Sequence, residues 1–293
     1  MPRVSKALIL AAGLGTRLLP ATKAVPKEML PVVDKPLIQY AVEEAVAAGL
    51  SEIVFVVADG KEAIAEHFGH GGRVEQILER EGRSELVAAV RAPATLARFH
   101  YRRQAEPLGI AHAIQSARDL LEGEPFALLF PDDVLISDTP VIGQLLRAFS
   151  AGEGSIIAVQ EVADSEVPQY GIVDPEAGQN NPARLRAIVE KPGLADAPSR
   201  LGVVGRYILG PTIFAHIDRI PPGKNGELQL TDALASQIAA GETVSALTYE
   251  GTRYDTGRPL GLIAANVGAA LARGDMREQL ADRLRNLLSS EPS

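Results

Sequence analysis

Leu10-Ala11-Ala12-Gly13-Leu14-Gly15-Thr16-Arg17 closes a short apolar segment, Ala7–Ala11, that glycine brings to a stop. The apolar run reads as a buried strand. The small residues behind it let the backbone approach a ligand closely, and successive N–H groups there can cradle a phosphate. Glycines alone fit a ligand-free strand-to-helix turn equally well. A dinucleotide-binding loop wants glycine at the sixth position, where Leu18 stands, and no Gly-Lys-Ser/Thr follows, so neither that fingerprint nor a Walker A loop is present. The charge downstream decides between turn and site. Arg17, Lys23, Lys27 and Lys35 fall within Thr16–Pro36, opposed only by Glu28 and Asp34, in a chain of net charge −8. Such local concentration of cations is what a polyphosphate ligand requires.

Outward from this stretch, strand-like and helix-like segments alternate. Leu37–Ala48 carries apolar residues at helical spacing, Ile53–Val57 is β-branched and aromatic, and Lys61–Phe68 and Val74–Arg83 read as helices. A strand at His100–Arg103 precedes a helix from about Ile110 to Leu121. The apolar run Phe126–Phe130 reads as a central strand, Pro140–Phe149 as a helix and Ser155–Glu161 as a strand. This order implies a mainly parallel sheet with helices on both faces. After Glu161, short strands at Gly171–Val173, Arg184–Val189 and Val203–Leu209, punctuated by Pro, Gly and Asn, suggest an antiparallel lobe. Helices at about Pro211–Ile217 and Leu230–Ala240, a strand at Val244–Tyr249 and helices from Pro259 to Leu288 complete the chain, and 289–293 reads as a disordered tail. The expectation is an α/β, Rossmann-like fold with a parallel-rich mixed central sheet and a smaller β lobe. With 293 residues and 46% hydrophobic content, one domain spanning 1–293 is expected, divided at about 161 and 258.

Composition narrows the chemistry. There is no cysteine, so thiolate catalysis and cysteine–zinc sites are excluded. Net negative charge argues against nucleic acid or an anionic membrane as partner. The apolar segment ending at Ala12-Gly13 is too short to span a bilayer and lacks a signal-peptide layout, which makes the cytoplasm the default location. His67, His70, His100, His112 and His216 lack metal-binding spacing and read as structural or surface residues. Leu280, Leu284, Leu287 and Leu288 form a stripe at helical spacing that serves packing or a subunit interface.

Three further constellations carry chemistry. Asp132 and Asp133 follow the strand Phe126–Phe130, at the end where open α/β sheets bind ligands. Carboxylates there can hold Mg²⁺ together with substrate phosphates, with Asp255 as natural partner, although Asp also favours helix caps and turns. Glu190-Lys191 ends the strand Arg184–Val189. An acid beside an ammonium suits a sugar phosphate, and suits a surface ion pair as well. Gln104 offers a donor and an acceptor side by side, which matches the uracil edge or simply a loop in water.

The run Leu10–Tyr40, LAAGLGTRLLPATKAVPKEMLPVVDKPLIQY, resembles the signature of bacterial UTP–glucose-1-phosphate uridylyltransferases in the sugar-nucleotidyltransferase superfamily. The form Pro-Ala-Thr-Lys-x-x-Pro-Lys-Glu-Met-Leu-Pro is specific to the uridylyl branch. The resemblance extends through Gln104–Gly109, Pro131–Asp133, Gln169–Val173, Val189–Pro192, Gly205–Leu209, Asn225–Asp232 and Tyr254–Gly257, and weakens at Val57–Lys61 and Leu86–Arg98. It implies transfer of a uridylyl group from UTP to glucose 1-phosphate, giving UDP-glucose and pyrophosphate, with Mg²⁺ and in a homo-oligomer, a dimer or tetramer. It implies Ala11, Ala12, Gly13, Gly15, Glu28, Gln104 and Gly109 around the nucleotide. Gly171, Glu190 and Lys191 would surround the sugar phosphate. Arg17, Lys27 and Lys191 would neutralise charge in the reaction, and Asp132 and Asp255 would bind the metal, with Asp133 the less certain neighbour. Two alternatives stand beside this one. A thymidylyltransferase making dTDP-glucose differs by one methyl, worth only ~1–3 kcal/mol. A non-catalytic sugar-nucleotide sensor on the same fold would have no need to retain these cations and carboxylates.

Overall fold

A computed structural model describes residues 4–149, 154–178, 181–223 and 226–289. The expected disordered tail therefore lies outside the described residues beyond Ser289, which itself ends a helix. In chain order the strands are β1 (Lys6–Ala11), the short pair β2 (Pro31–Val32) and β3 (Lys35–Pro36), β4 (Glu52–Val57), β5 (Arg98–Arg103), β6 (Phe126–Leu129), β7 (Asp133–Ile136), β8 (Ser155–Glu161), β9 (Gly171–Pro175), β10 (Ala183–Glu190), β11 (Leu201–Leu209), β12 (Val244–Thr248) and β13 (Thr252–Asp255).

Nine of these form one mixed sheet in the order β5-β4-β1-β6-β11-β8-β12-β10-β9. β5, β4, β1 and β6 are mutually parallel, as are β8 and β12. β11 runs antiparallel between β6 and β8, and β9 and β10 form an antiparallel pair at the far edge. Of the three strands expected in an antiparallel lobe after Glu161, two form this edge pair, whereas Val203–Leu209 belongs to β11 at the centre of the sheet. The β9–β10 pair continues the central sheet and curls back, Ile172 of β9 pairing with Gly202 of β11. The near edge, β5, carries Arg98, Arg102 and Arg103, charges that blunt an unpaired strand against further pairing.

Strand alternation divides β1 between two cores. Leu8 packs with Val54, Leu128, Ile114 and Phe214 on one face. Ala7, Ile9 and Ala11 pack with Phe55, Ile38, Val42 and Leu145 on the other. Both faces are covered, which is why the central strands read as unbroken apolar runs.

Local differences from the sequence-based expectation have local causes. The helix expected over Ile110–Leu121 divides into Ile110–Gln115 and Arg118–Leu121. At the break the Ser116 hydroxyl donates to the His112 carbonyl, competing with the helical ladder. Leu86–Arg98, where no motif could be matched, contains most of a helix at Ser84–Arg91, separated from Arg73–Arg80 by a turn at Gly82. The last helices are Pro259–Ala272 and Arg277–Ser289. β7 and β13 were not anticipated at all. They form a separate two-stranded ladder that bears directly on the site. Among the described residues no helix is long and apolar enough to cross a membrane.

Candidate active site

β1 delivers the glycine loop to the carboxyl end of the sheet, where the chain turns through three short 3₁₀ segments, Thr16–Leu18, Ala21–Lys23 and Lys27–Met29, rather than into a helix. Gly15 sits at φ 67°, and a Cβ there would stand 3.0 Å from the Lys27 Cβ. The Thr22 hydroxyl ties the loop down by donating to the Gly15 carbonyl at 2.8 Å. This folding-back carries Lys27 over the end of β6, where its ammonium meets the Asp132 carboxylate at 2.6 Å.

Asp132 is held from a second side. The Thr256 N–H and hydroxyl both donate to its backbone carbonyl, at 2.9 and 2.8 Å. The β7–β13 ladder pairs Asp133 with Asp255, so the two carboxylate-bearing segments lie side by side. The Gly257 N–H donates to Asp255 Oδ1 at 3.0 Å, and the Arg17 guanidinium lies so close over Gly257 that a Cβ there would be 2.8 Å from Nη2. Burial pushes the Asp132 carboxyl up, but Lys27, with help from Arg17, more than reverses this and holds it below the usual range. Burial likewise disfavours the Lys27 charge, and Asp132 and Glu28 outweigh it, raising Lys27 above the usual lysine range.

Asp133 has a different job. Its Oδ1 accepts from Arg253 at 2.6 Å and its Oδ2 from the Gly205 N–H at 2.9 Å. Burial pushes its carboxyl up against the pull of Arg253, and the neighbouring Asp132 charge adds to the push. The close approach needs glycine: a Cβ on Gly205 would be 2.7 Å from Asp133 Oδ2. The register shift in the β8–β11 pairing falls between Val203 and Tyr207, around this contact.

Two chambers open over these groups. The larger, about 470 Å³, is lined by Arg17, Asp133, Gly171, Glu190, Thr231 and Asp255, among others. The smaller, about 370 Å³, is lined by Leu10, Ala12, Gly13, Lys27, Gln104 and Gly109, among others. They share Ile110, Phe130, Asp132, Lys191 and Gln229, so they are two halves of one cleft that meet at a carboxylate and a lysine.

In the smaller chamber Gln104 is only 6% exposed. Its Nε2 donates to the Gly109 carbonyl at 3.2 Å and lies 3.1 Å from His112 Nδ1. A carbonyl can only accept, so the amide nitrogen faces Gly109 and Oε1 is the atom left for a ligand. Gly109 has φ 101°, and a Cβ would meet the Leu228 carbonyl oxygen at 2.5 Å, so no other residue fits this corner. In the larger chamber Glu190 is clamped between the Thr231 hydroxyl at 2.8 Å and the Lys191 ammonium at 2.8 Å. Lys191 adopts φ 44°, a strained conformation for a side-chain-bearing residue, with its N–H bonded to the Tyr170 carbonyl.

The cleft thus gathers Arg17, Lys27, Lys191, Asp132, Asp133, Asp255, Gln104, Gly109, Gly171, Glu190, Ala12 and Gly13. It does not gather the remaining three expected site residues as lining groups. The Ala11 side chain points into the core opposite Leu10 and Ala12, as alternation along β1 demands. Gly15 packs onto Lys27. Glu28 is 1% exposed behind the loop, paired with Lys61 at 2.6 Å. Sequence reasoning missed Lys61, Arg206 and Arg253. Arg253 directly precedes the Tyr-Asp-Thr-Gly motif and Arg206 falls within the matched segment Gly205–Leu209, placements that could have drawn attention to them; Lys61 ends a stretch that matched no motif. Arg206, 1% exposed, donates to the Phe130 and Asp133 carbonyls at 2.9 and 2.8 Å and so brackets Asp132. Its counter-ion is Glu44 at 2.8 Å.

Among the described residues no group of three or more His, Asp or Glu is disposed to hold a metal. The donor set here is two carboxylates on one cleft, which suits Mg²⁺ when phosphate oxygens and water complete its shell.

Residues 6–270 match the family described as nucleotidyl transferase. The chain is 45% identical over 285 residues to UTP–glucose-1-phosphate uridylyltransferase 1 of Staphylococcus saprophyticus, covering 97% of this chain and 99% of that one. It is 44% identical over 291 residues to the UTP–glucose-1-phosphate uridylyltransferase of Bacillus subtilis, covering 99% of each. Among solved structures, a UDP-glucose pyrophosphorylase complexed with UDP-glucose superposes with a TM-score of 0.83 at 40% identity, covering 92% of this chain and all of that one.

Proposed function

The chain belongs to the nucleotidyl transferase family and, within it, to the UTP–glucose-1-phosphate uridylyltransferases, and from that premise and the divided cleft we propose how it joins UTP to glucose 1-phosphate. The carrying observation is that the two chambers meet at Asp132 and Lys191. The smaller chamber takes UTP, its base on Gln104 and Gly109 and its phosphates along Gly13 and Lys27. The larger takes the sugar, whose hydroxyls bond Glu190. Each substrate then brings its phosphate to the shared wall.

An oxygen of the sugar phosphate attacks the α-phosphorus of UTP. The new P–O bond forms as the bond from that phosphorus to the bridging β-phosphate oxygen breaks, and the electron pair leaves on pyrophosphate. The nucleophile has a second pKa of ~6 and is already largely ionised at neutral pH, so no general base is required. What the residues supply is approach and charge neutralisation. Lys191 holds the attacking phosphate, and Lys27 and Arg17 meet charge growing on the triphosphate side. Asp132 and Asp255 would hold Mg²⁺, which when bound neutralises phosphate charge. Asp133, locked by Arg253 and Gly205, holds the strand end rather than the cation. We place the enzyme in the cytoplasm as a homo-oligomer and read 1–293 as one domain. Pyrophosphate release from UTP, glucose 1-phosphate and Mg²⁺ tests the reaction. A matrix of four nucleotides against several sugar 1-phosphates tests the specificity, and a better kcat/KM with dTTP than with UTP would overturn it.

A further inference from the structure

We propose that Lys61 is a positioning residue for the nucleotide's phosphates, acting through the backbone of the glycine loop. This rests on reading the smaller chamber as the UTP site. Lys61 is 9% exposed and lies behind the loop, outside the lining of either chamber. Its ammonium donates to the Gly13 carbonyl at 2.9 Å and to Glu28 Oε2 at 2.6 Å. Gly13 itself lines the smaller chamber. In a trans peptide the C=O and the next N–H point in opposite directions. Drawing the Gly13 carbonyl back toward Lys61 therefore turns the Leu14 N–H away from Lys61 and forward to the phosphate side. No acceptor among the described residues takes that N–H. Among the described residues no other hydrogen bond holds this peptide. Gly13 has no side chain, and that of Leu14 is 73% exposed. Without the ammonium, the glycine's conformational freedom leaves the amide unaimed.

Glu28 anchors Lys61 in turn. Its second oxygen is buried and has no hydrogen-bond partner, so Lys61 is its principal compensation. Burial pushes the Glu28 carboxyl up, against Lys61 and Lys27. Removing Lys61 alone would strand a buried carboxylate, whereas replacing both partners by apolar residues of similar volume is often neutral for stability. The pair Lys61→Met and Lys61→Met/Glu28→Met separates the two roles.

The experiment measures melting temperature, equilibrium UTP affinity, and KM for UTP and for glucose 1-phosphate in the wild type and both variants. Lys61→Met is expected to melt lower and to bind UTP about tenfold more weakly, comparable to the loss of one hydrogen bond to a charged group, with the glucose 1-phosphate KM within about twofold. The double variant is expected to regain most of the melting temperature while UTP binding stays weak. Recovery of UTP affinity together with melting temperature would show that Lys61 only neutralises Glu28, and would overturn the proposal. So would a parallel rise in both KM values, or a double variant that does not fold. A wild-type protein without UTP affinity would instead overturn the reading of the chamber.

Discussion

Replacing Gln104 by leucine separates base recognition from loop architecture. The Gln104 amide nitrogen is committed to the Gly109 carbonyl at 3.2 Å and to His112 Nδ1 at 3.1 Å, which leaves Oε1 to accept from uracil N3–H. Leucine keeps the approximate size and removes all three bonds. An N3–H buried without its acceptor costs ~1–3 kcal/mol, so kcat/KM for UTP should fall roughly 5- to 150-fold. The two internal bonds are neutral ones, worth ~0.5–1.5 kcal/mol each, and should appear as a melting temperature lower by a few degrees. Cytosine presents an unprotonated N3 to the same Oε1, so CTP should be a poor substrate of the wild type for a repulsive reason. Leucine abolishes that repulsion, and CTP should lose much less than UTP. Thymine shares the uracil edge and should give the best wrong nucleotide in both proteins. The assay is kcat/KM for UTP, dTTP and CTP at saturating glucose 1-phosphate, with the glucose 1-phosphate KM as control. A folded variant with an unchanged UTP-to-CTP ratio would refute the assignment, and Gln104 would then serve only to hold Gly109.

Lys27→Ala and Lys191→Ala should each lower kcat roughly 10²- to 10³-fold with folding intact, and wild-type kcat/KM in both would mean that neither meets transition-state charge. Lys191→Gly should lose the same activity yet melt close to wild type, because glycine relieves the φ of 44°; a marked drop in melting would assign Lys191 to the framework. Activity should require Mg²⁺ and fall in Asp132→Asn and Asp255→Asn, so full turnover in excess chelator would remove the cation from the mechanism. Gly109→Ala should cost ~1–3 kcal/mol of stability and weaken UTP binding, since its Cβ would lie 2.5 Å from the Leu228 carbonyl oxygen; calorimetry showing an unshifted transition would contradict the geometry.

The run Leu10–Tyr40 and the alternation of apolar segments already carried the α/β class, the parallel strands and the glycine loop with its cations Arg17 and Lys27, because strand period and glycine chemistry are local properties. Resemblance supplied the roles of Gln104 and Glu190, which spacing alone left open. Three matters were settled only by long-range packing. The β7–β13 ladder joins segments more than 100 residues apart, and neither four-residue strand carries a period long enough to announce itself. Asp132 and Asp133 are adjacent and chemically identical in sequence. Only the Gly205 N–H and the guanidinium of Arg253, brought in from distant segments, occupy both oxygens of Asp133, while Asp132 meets Lys27. Glu28 looked like a ligand contact beside Lys27, yet one step along a short 3₁₀ turn points it into the protein, onto a lysine whose sequence neighbourhood matched no motif. Residue identity states what a side chain can do, but burial and the partner brought to it by tertiary structure decide whether it does so for the ligand or for the fold.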